Sequence, residues 1–422
     1  MSPLFSVVIP TRERADTLHH ALRSCVMQRF TDVEFIVSDN AGTDDTEAVV
    51  RAFDDSRIRL INTGRRVSMR ENWEFALGHV TGQFVLYIGD DDALVAGALE
   101  DLANLVKESD ARAVKWQPPI YLWPSIDDPS AAGSLSVSAS RGMILMKSAA
   151  ALRAVTWGLL QCRHTPSVYH GLVSMEVVRH IMAKTGEFFR SEIPDYYSGL
   201  AVANTLASYL YVDKPYTIAG ISRHSTGTSA VRAASDGTLS PAAMFASENK
   251  LGPHPQFLET AAIASVHGYV TDTLLRIRDT LGAKTLIPMW YRLLLTVQEI
   301  SARPNENLES PSHPLYIYSK SNRRLWLYLL YVRLFRGRAY PEGAKGYWSR
   351  RMERSTALVV DTRKFGIDNA CDASILFHDL TASINPAKSD RCGSILSVLR
   401  ARLLAAALSR SAARLFVLSA SL

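Results

Sequence analysis

Cysteine is scarce: Cys25, Cys162, Cys371 and Cys392 lie far apart among 422 residues, with no CxxC pair and no zinc-type spacing to histidine. That excludes a disulfide scaffold and a structural zinc site, and it suits free thiols in a reducing compartment. Long apolar runs are missing too, since no window reaches the ~18–20 residues a membrane span requires. The opening MSPLFSVVIPTRER lacks a basic n-region and has too short an apolar stretch for a secretory leader. These absences predict a cytoplasmic protein. With 47% hydrophobic and 21% charged residues the chain is not mainly disordered, and its length suggests roughly two or three domains.

The net charge of +6 is unevenly placed. Residues 1–314 carry 29 Lys/Arg against 34 Asp/Glu, residues 315–360 carry 10 against 2, and residues 391–422 carry 5 against none. The basic excess is therefore a C-terminal property, and inferences about partners must be regional.

The first 110 residues alternate short β-rich runs with amphipathic helical stretches. Strands are expected at Phe5–Ile9, Phe35–Val37, Ile58–Ile61 and Phe84–Ile88. Helices are expected at 44–53 and 68–79, and again from Leu94 onward. This order predicts an α/β fold with a parallel sheet covered by helices. Ligands of such sheets bind beyond the carboxyl ends of the strands. The residues found there are Pro10–Arg14, Asp39–Thr43, Gly64–Arg66 and Asp90–Asp92. Residues 126–140 read as loop, strands are expected near 208–222, and Ser225–Ser240 reads as a flexible joint. From Ile263 the helical spacing predicts a mostly helical second half, so the chain divides into 1–230 and 231–422.

Asp90, Asp91 and Asp92 directly follow an apolar strand, where three like charges need a cation or donors to compensate them. Carboxylate oxygens suit Mg²⁺ or Mn²⁺, which complete their shells with water and phosphate. The plainer reading is an acidic cap on the helix expected from Leu94. Asp39-Asn40-Ala41-Gly42 can serve a base or ribose, and Pro10-Thr11-Arg12-Glu13-Arg14 can bring a guanidinium near phosphate. Both also read as turn chemistry.

Taken in order, FSVVIPTRERADTLHHALRS, EFIVSDNAGTDDT, SMRENWEFAL and TGQFVLYIGDDDAL resemble the family 2 glycosyltransferases of the GT-A nucleotide-sugar fold. IPDYYSGLAVA and SRHSTGTS resemble that family's acceptor-side segment and closing His-Ser motif, so the likeness covers residues 4–228. It implies that Pro10, Thr11 and Arg14 line the nucleotide pocket and that Asp39 meets the base. Arg70 and Asn72 approximate an Arg-Asn pair of the donor site, with Arg65 and Arg66 as alternative phosphate contacts. Asp92 is implied as the metal ligand, with Asp90 or Asp91 near the ribose, because Gly89 stands where many members have the first Asp. His224 is implied as a second metal or diphosphate contact, and Asp195 as the base that takes the acceptor hydroxyl proton in an inverting transfer. Asp195 could instead cap the helix that follows it. His164 and His170 read as structural.

The resemblance implies Mn²⁺ or Mg²⁺ as cofactor, a nucleotide-sugar donor with uridine diphosphate favoured, and a saccharide or lipid-linked acceptor of surface polysaccharide synthesis. Two alternatives stand beside it. A nucleotidyltransferase would carry a Gly-rich phosphate loop, and IPTRERAD has no glycine. A non-catalytic sugar-nucleotide-binding membrane scaffold would not need the acidic run and Asp195. Beyond residue 235 no family is recognisable. RRLWLYLLYVRLFRGR (323–338) and 395–418 are basic and amphipathic, which suits an anionic membrane surface. A buried helix pair, or contact with a second copy of the chain, is the alternative. No nucleic-acid motif accompanies the charge, so no nucleic-acid partner is expected.

Overall fold

A computed structural model describes residues 2–126, 129–137, 142–225, 245, 247–249, 251–256, 265–283, 287–301 and 358–383. The basic segments at 323–338 and 395–418, the joint after Ser225 and Cys392 lie outside the described residues.

The apolar runs become buried strands because helices cover both faces of the sheet, which removes the in–out alternation of a half-exposed strand. β1 (Phe5–Thr11) and β2 (Val33–Asp39) are almost wholly buried. They pair in parallel with each other and with β3 (Ile58–Asn62) and β4 (Phe84–Tyr87), in the order β3-β2-β1-β4. The register sets Thr11 beside Asp39 and Asp39 beside Asn62, so three polar side chains line up at the carboxyl edge. The sheet continues through β10 (Gly171–Ser174), antiparallel to both neighbours, then β6 (Ala113–Trp116), β11 (Ser208–Val212) and the edge strand β9 (Met143–Lys147). Helices α1 (Ala15–Val26), α2 (Thr46–Arg51), α3 (Met69–Leu77) and α4 (Ala98–Ser109) connect the first strands. Ser68 and Glu71 close a capping box at the start of α3.

A smaller sheet, β13-β8-β7-β12-β5, stands at the carboxyl edge. It comprises β5 (Ala93–Leu94), β7 (Ile120–Leu122), β8 (Ser134–Val137), β12 (Thr217–Ile221) and β13 (Leu358–Asp361). This corrects two expectations. Ala93–Leu94 pair with Thr217–Ile218 as a strand, and α4 starts only at Ala98, so the acidic run does not cap it. The tract read as loop at 126–140 contains β8, which finds its partners in β7 and β13.

Helices α5 (Ser148–Thr156), α6 (Met175–Thr185), α7 (Pro194–Thr205), α8 (Val266–Leu281) and α9 (Met289–Ser301) cover the second half of the large sheet, with α8 packed on α7 and α9 on α8. Residues 358–383, which the sequence assigns to the helical second half, return to the first core. Val360 from β13 and Ala370, Ala373, Leu376 and Phe377 from α10 (Ala370–Ser383) join the cluster containing Phe5, Leu22 and Leu94. Arg23 of α1 pairs with Asp372 at 2.9 Å. The described cysteines Cys25, Cys162 and Cys371 are buried and free. Among the described residues no helix is long and apolar enough to cross a membrane.

Candidate active site

The loop between β4 and β5 presents its acids inward. Asp90, Asp91 and Asp92 are 3%, 5% and 0% exposed, so each carboxylate has to be met by protein donors or by a ligand. Thr11 Oγ1 donates to Asp90 Oδ2 at 2.8 Å and Arg14 Nη1 to Oδ1 at 2.9 Å. Burial pushes the Asp90 carboxyl up, and the Arg14 charge opposes it. Ser222 and Ser225 donate to Asp91 Oδ2 at 2.8 and 2.7 Å, and Trp123 Nε1 holds the Asp91 carbonyl at 2.9 Å. Asp92 is the most enclosed. Gly89 N and Tyr169 Oη donate to its Oδ2 at 2.5 and 2.9 Å, and Gly220 N donates to Oδ1 at 2.8 Å. Burial, then the neighbouring Asp91 charge, raises its pKa. His170 Nε2 lies 3.4 Å from Asp92 Oδ2, but burial holds that imidazole neutral, so the contact is not an ion pair.

This enclosure depends on one close approach. A Cβ on Gly220 would stand 1.7 Å from the Asp91 carbonyl oxygen, so only glycine lets β12 pass the acidic loop.

Asp39 sits at the end of β2, its Oδ1 accepting from Gly42 N at 2.9 Å and its Oδ2 from Asn62 Nδ2 at 2.7 Å. Burial raises its pKa. Pro10 and Thr11 end β1 beside it. The other expected donor-site residues are bonded within the protein or border a cleft. Asn72 is buried and spends its amide on Ser38, accepting from Oγ at 2.7 Å and donating to the carbonyl at 3.3 Å. Arg70 donates to Glu187 at 2.8 Å and to the Phe189 carbonyl at 3.1 Å. It borders, with Arg65, a cleft of about 310 Å³ beside α3. Arg66 and Arg12 both pair with Glu248, at 2.6 and 2.8 Å.

Asp195 follows Pro194, the first residue of α7, and is half-buried; the cap position belongs to Ile193. Burial lifts its carboxyl to about 6, against the Tyr196 amide and the Lys115 charge. Tyr169, which donates to Asp92, also feels the charge of Asp195, so both acids act on the same phenol. His224 receives Arg14 Nη2 on its carbonyl, while its ring contacts Arg223 Nε at 3.1 Å. His164 and His170 are buried, bonded through Nδ1 to Tyr211 and Thr217 at 3.1 and 2.9 Å.

The donor set fits a hard divalent ion shared with a substrate. Asp92 commits both oxygens to protein donors, as does Asp90, whereas Asp91 Oδ1 receives no hydrogen bond among the described residues. No cluster of three or more His, Cys, Asp or Glu suited to a metal occurs among the described residues. An ion here would therefore rest on one carboxylate and complete its shell with phosphate and water, as Mg²⁺ commonly does.

Tyr169, Lys115, Ser222, Ser225 and Glu248 are site neighbours that sequence reasoning missed. Ser222 and Ser225 flank His224 in SRHSTGTS, and Lys115 is a lone charge in the apolar strand AVKW, so both had a local signal. Tyr169 and Glu248 had none.

Acids and an arginine gather past the carboxyl ends of the parallel strands, the edge at which open α/β sheets bind their ligands. Residues 6–135, the segment that carries the first parallel strands and the acidic loop, match the model of glycosyl transferase family 2. The chain is 38% identical over 109 residues to GalNAc(5)-diNAcBac-PP-undecaprenol beta-1,3-glucosyltransferase of Campylobacter jejuni, covering 25% of this chain and 35% of the relative. It is 28% identical over 97 residues to UDP-Glc:alpha-D-GlcNAc-diphosphoundecaprenol beta-1,3-glucosyltransferase WfgD of Escherichia coli, covering 23% and 38%. The chain thus spans little more than a third of the length of these relatives. Among solved structures, S. aureus TarS 1-349 in complex with UDP-GlcNAc is 15% identical with a TM-score of 0.45, covering 80% of this chain and 93% of that one.

Proposed function

We propose that this protein is an inverting glycosyltransferase. It moves a sugar from a nucleoside diphosphate donor, with uridine as the favoured base, to a hydroxyl of a lipid-linked or growing surface saccharide. The observation that carries the reading is a buried acidic loop, Asp90–Asp92, tied through Tyr169 Oη to the 167–170 turn, which is itself bonded through Ser198 to the carbonyl of the half-buried Asp195. The relatives named above support the choice of donor and acceptor.

In this reading Pro10, Thr11 and Asp39 border the nucleoside and Arg14 faces the diphosphate. Asp90 holds Arg14 and Thr11 in place. Asp91 is the carboxylate that would hold Mg²⁺ or Mn²⁺, with the His224 loop closing over it, and Asp92 braces the loop from behind. The ion, when bound, would take up charge on the departing diphosphate. Asp195 accepts the acceptor hydroxyl's proton as that oxygen attacks the anomeric carbon. Arg70 and Asn72 shape α3 rather than touch the donor.

The C-terminal basic segments hold the enzyme peripherally at the inner face of the membrane, where a lipid-linked acceptor presents its saccharide. The test is a thermal-shift screen of nucleoside diphosphates and their sugars with and without Mn²⁺, followed by transfer assays on the hit. A metal-dependent uridine diphosphate shift is expected. Equal stability with every ligand would overturn the reading.

A further inference from the structure

Burying a lysine is unfavourable, because the ammonium loses its hydration. Lys115 on β6 is nevertheless 3% exposed. Its stem fits because β6 and β10 set it opposite Gly171. A Cβ there would lie 3.3 Å from Lys115 Cδ and 2.2 Å from the Ser167 carbonyl oxygen. The ammonium donates to Ser167 Oγ at 2.9 Å and to the Tyr169 carbonyl at 2.8 Å. The turn it holds reaches both halves of the site. Tyr169 Oη bonds Asp92 at 2.9 Å. Val168 N donates to Ser198 Oγ at 3.4 Å, and Ser198 Oγ donates to the Asp195 carbonyl at 2.9 Å.

The titratable and charged groups around the ammonium are Asp195, the Cys162 thiol, which burial keeps neutral, and Arg163; Asp195 supports the positive charge most and Arg163 opposes it. Around Asp195, the Lys115 charge joins the amides of Asp195 and Tyr196 in favouring the carboxylate. Burial holds His164 and His170 neutral, with Lys115 adding to the effect, so neither competes as a cation. Burial brings Lys115 down to about 7 and Asp195 up to about 6, each softened by the other's charge.

We propose that Lys115 is a positioning residue for Asp195: it clamps the 167–170 turn against the first turn of α7 and sets a positive charge behind the carboxylate. The proposal rests on the transferase reading, in which Asp195 is the base. Lys115→Gln keeps a hydrogen-bond donor and removes the charge, and Lys115→Arg keeps the charge. Infrared difference titration of wild type against Asp195→Asn isolates the Asp195 carboxyl without needing turnover. Its midpoint, near 6 in wild type, should rise by about one pH unit in Lys115→Gln and return in Lys115→Arg. The acid limb of the kcat/KM profile should move by the same amount while uridine diphosphate affinity stays within about twofold.

A midpoint unmoved in Lys115→Gln overturns the proposal, as does a shift that Lys115→Arg fails to reverse. If Lys115→Gln does not fold, Lys115→Met, which fills the buried stem site without a charge, takes its place, and an unmoved midpoint there has the same meaning. Wild-type protein that binds no nucleotide sugar would defeat the transferase reading, while the infrared titration would still decide the relation between Lys115 and Asp195.

Discussion

Tyr169 donates its phenolic hydrogen to Asp92 Oδ2 at 2.9 Å, and through this bond the turn beneath α7 is tied to the loop after β4. Because Asp92 is fully enclosed, losing this donor leaves part of a buried carboxylate unsatisfied. Tyr169→Phe is expected to cost about 1–3 kcal/mol of stability, read from urea denaturation. Asp92→Ala should fall further. Asp91→Asn should leave the denaturation midpoint near wild type while removing metal-dependent uridine diphosphate binding. If Asp91→Asn kept full affinity in Mn²⁺ and a stably folded Asp92 variant lost it, the two roles would be exchanged.

Asp195→Asn preserves the size of the side chain and removes its basicity. Transfer should fall about 10²–10⁴-fold, with donor affinity by calorimetry close to wild type. Near-normal turnover would place the base elsewhere.

The same residue predicts two opposite pH responses. Its folded carboxyl titrates at about 6, against about 3.9 in an unfolded chain. The folded state thus binds this proton more tightly. The group's contribution to stability is present below about pH 4 and is lost as pH rises through 6. Activity runs the other way, since the base works only when ionised, and kcat/KM should drop below pH 6. Asp195→Asn should therefore melt higher than wild type at pH 7–8, with the gap closing toward pH 4. A variant that melts lower at pH 8 would contradict this.

Gly220→Ala places a methyl against a carbonyl rather than against a movable side chain. The loss should exceed the about 1–3 kcal/mol of ordinary overpacking. Circular dichroism melts check it, and a melting temperature within a degree or two of wild type would disprove the close approach.

The C-terminal return of the chain separates folding from membrane contact. Leu376 and Phe377 each contribute about 1.5–3 kcal/mol of apolar burial to the first core. A chain ending at 357 should therefore fail to fold, and one ending at 383 should remain folded. Comparing the latter with the full chain on anionic liposomes tests the basic segment at 391–422. Equal binding would remove that segment as an anchor.

Much of the site was legible because it sits where strand runs stop. Asp39, Arg14 and the acidic run follow apolar stretches whose length and β-branching identify strands. What was not legible came from distant partners. Ala93–Leu94 looked helical by local spacing, and pairing with Thr217–Ile218 made them a strand. Residues 134–137 looked like loop until 358–361 supplied an edge. Arg70 and Asn72 lie on the expected helix, but their orientation toward Glu187 and Ser38 depends on how α3 packs.

By itself the sequence determined the α/β order, the carboxyl-edge placement of the acids and the likeness of the first 130 or so residues to glycosyl transferase family 2, because these depend on local periodicity and contiguous motifs. Only the tertiary structure decided which acid is enclosed, which receives no hydrogen bond on one oxygen among the described residues, and that Lys115 is buried against the 167–170 turn. Those outcomes turn on contacts between residues 77 and more apart in sequence, where burial and hydrogen-bond geometry, rather than residue type, assign each carboxylate its environment.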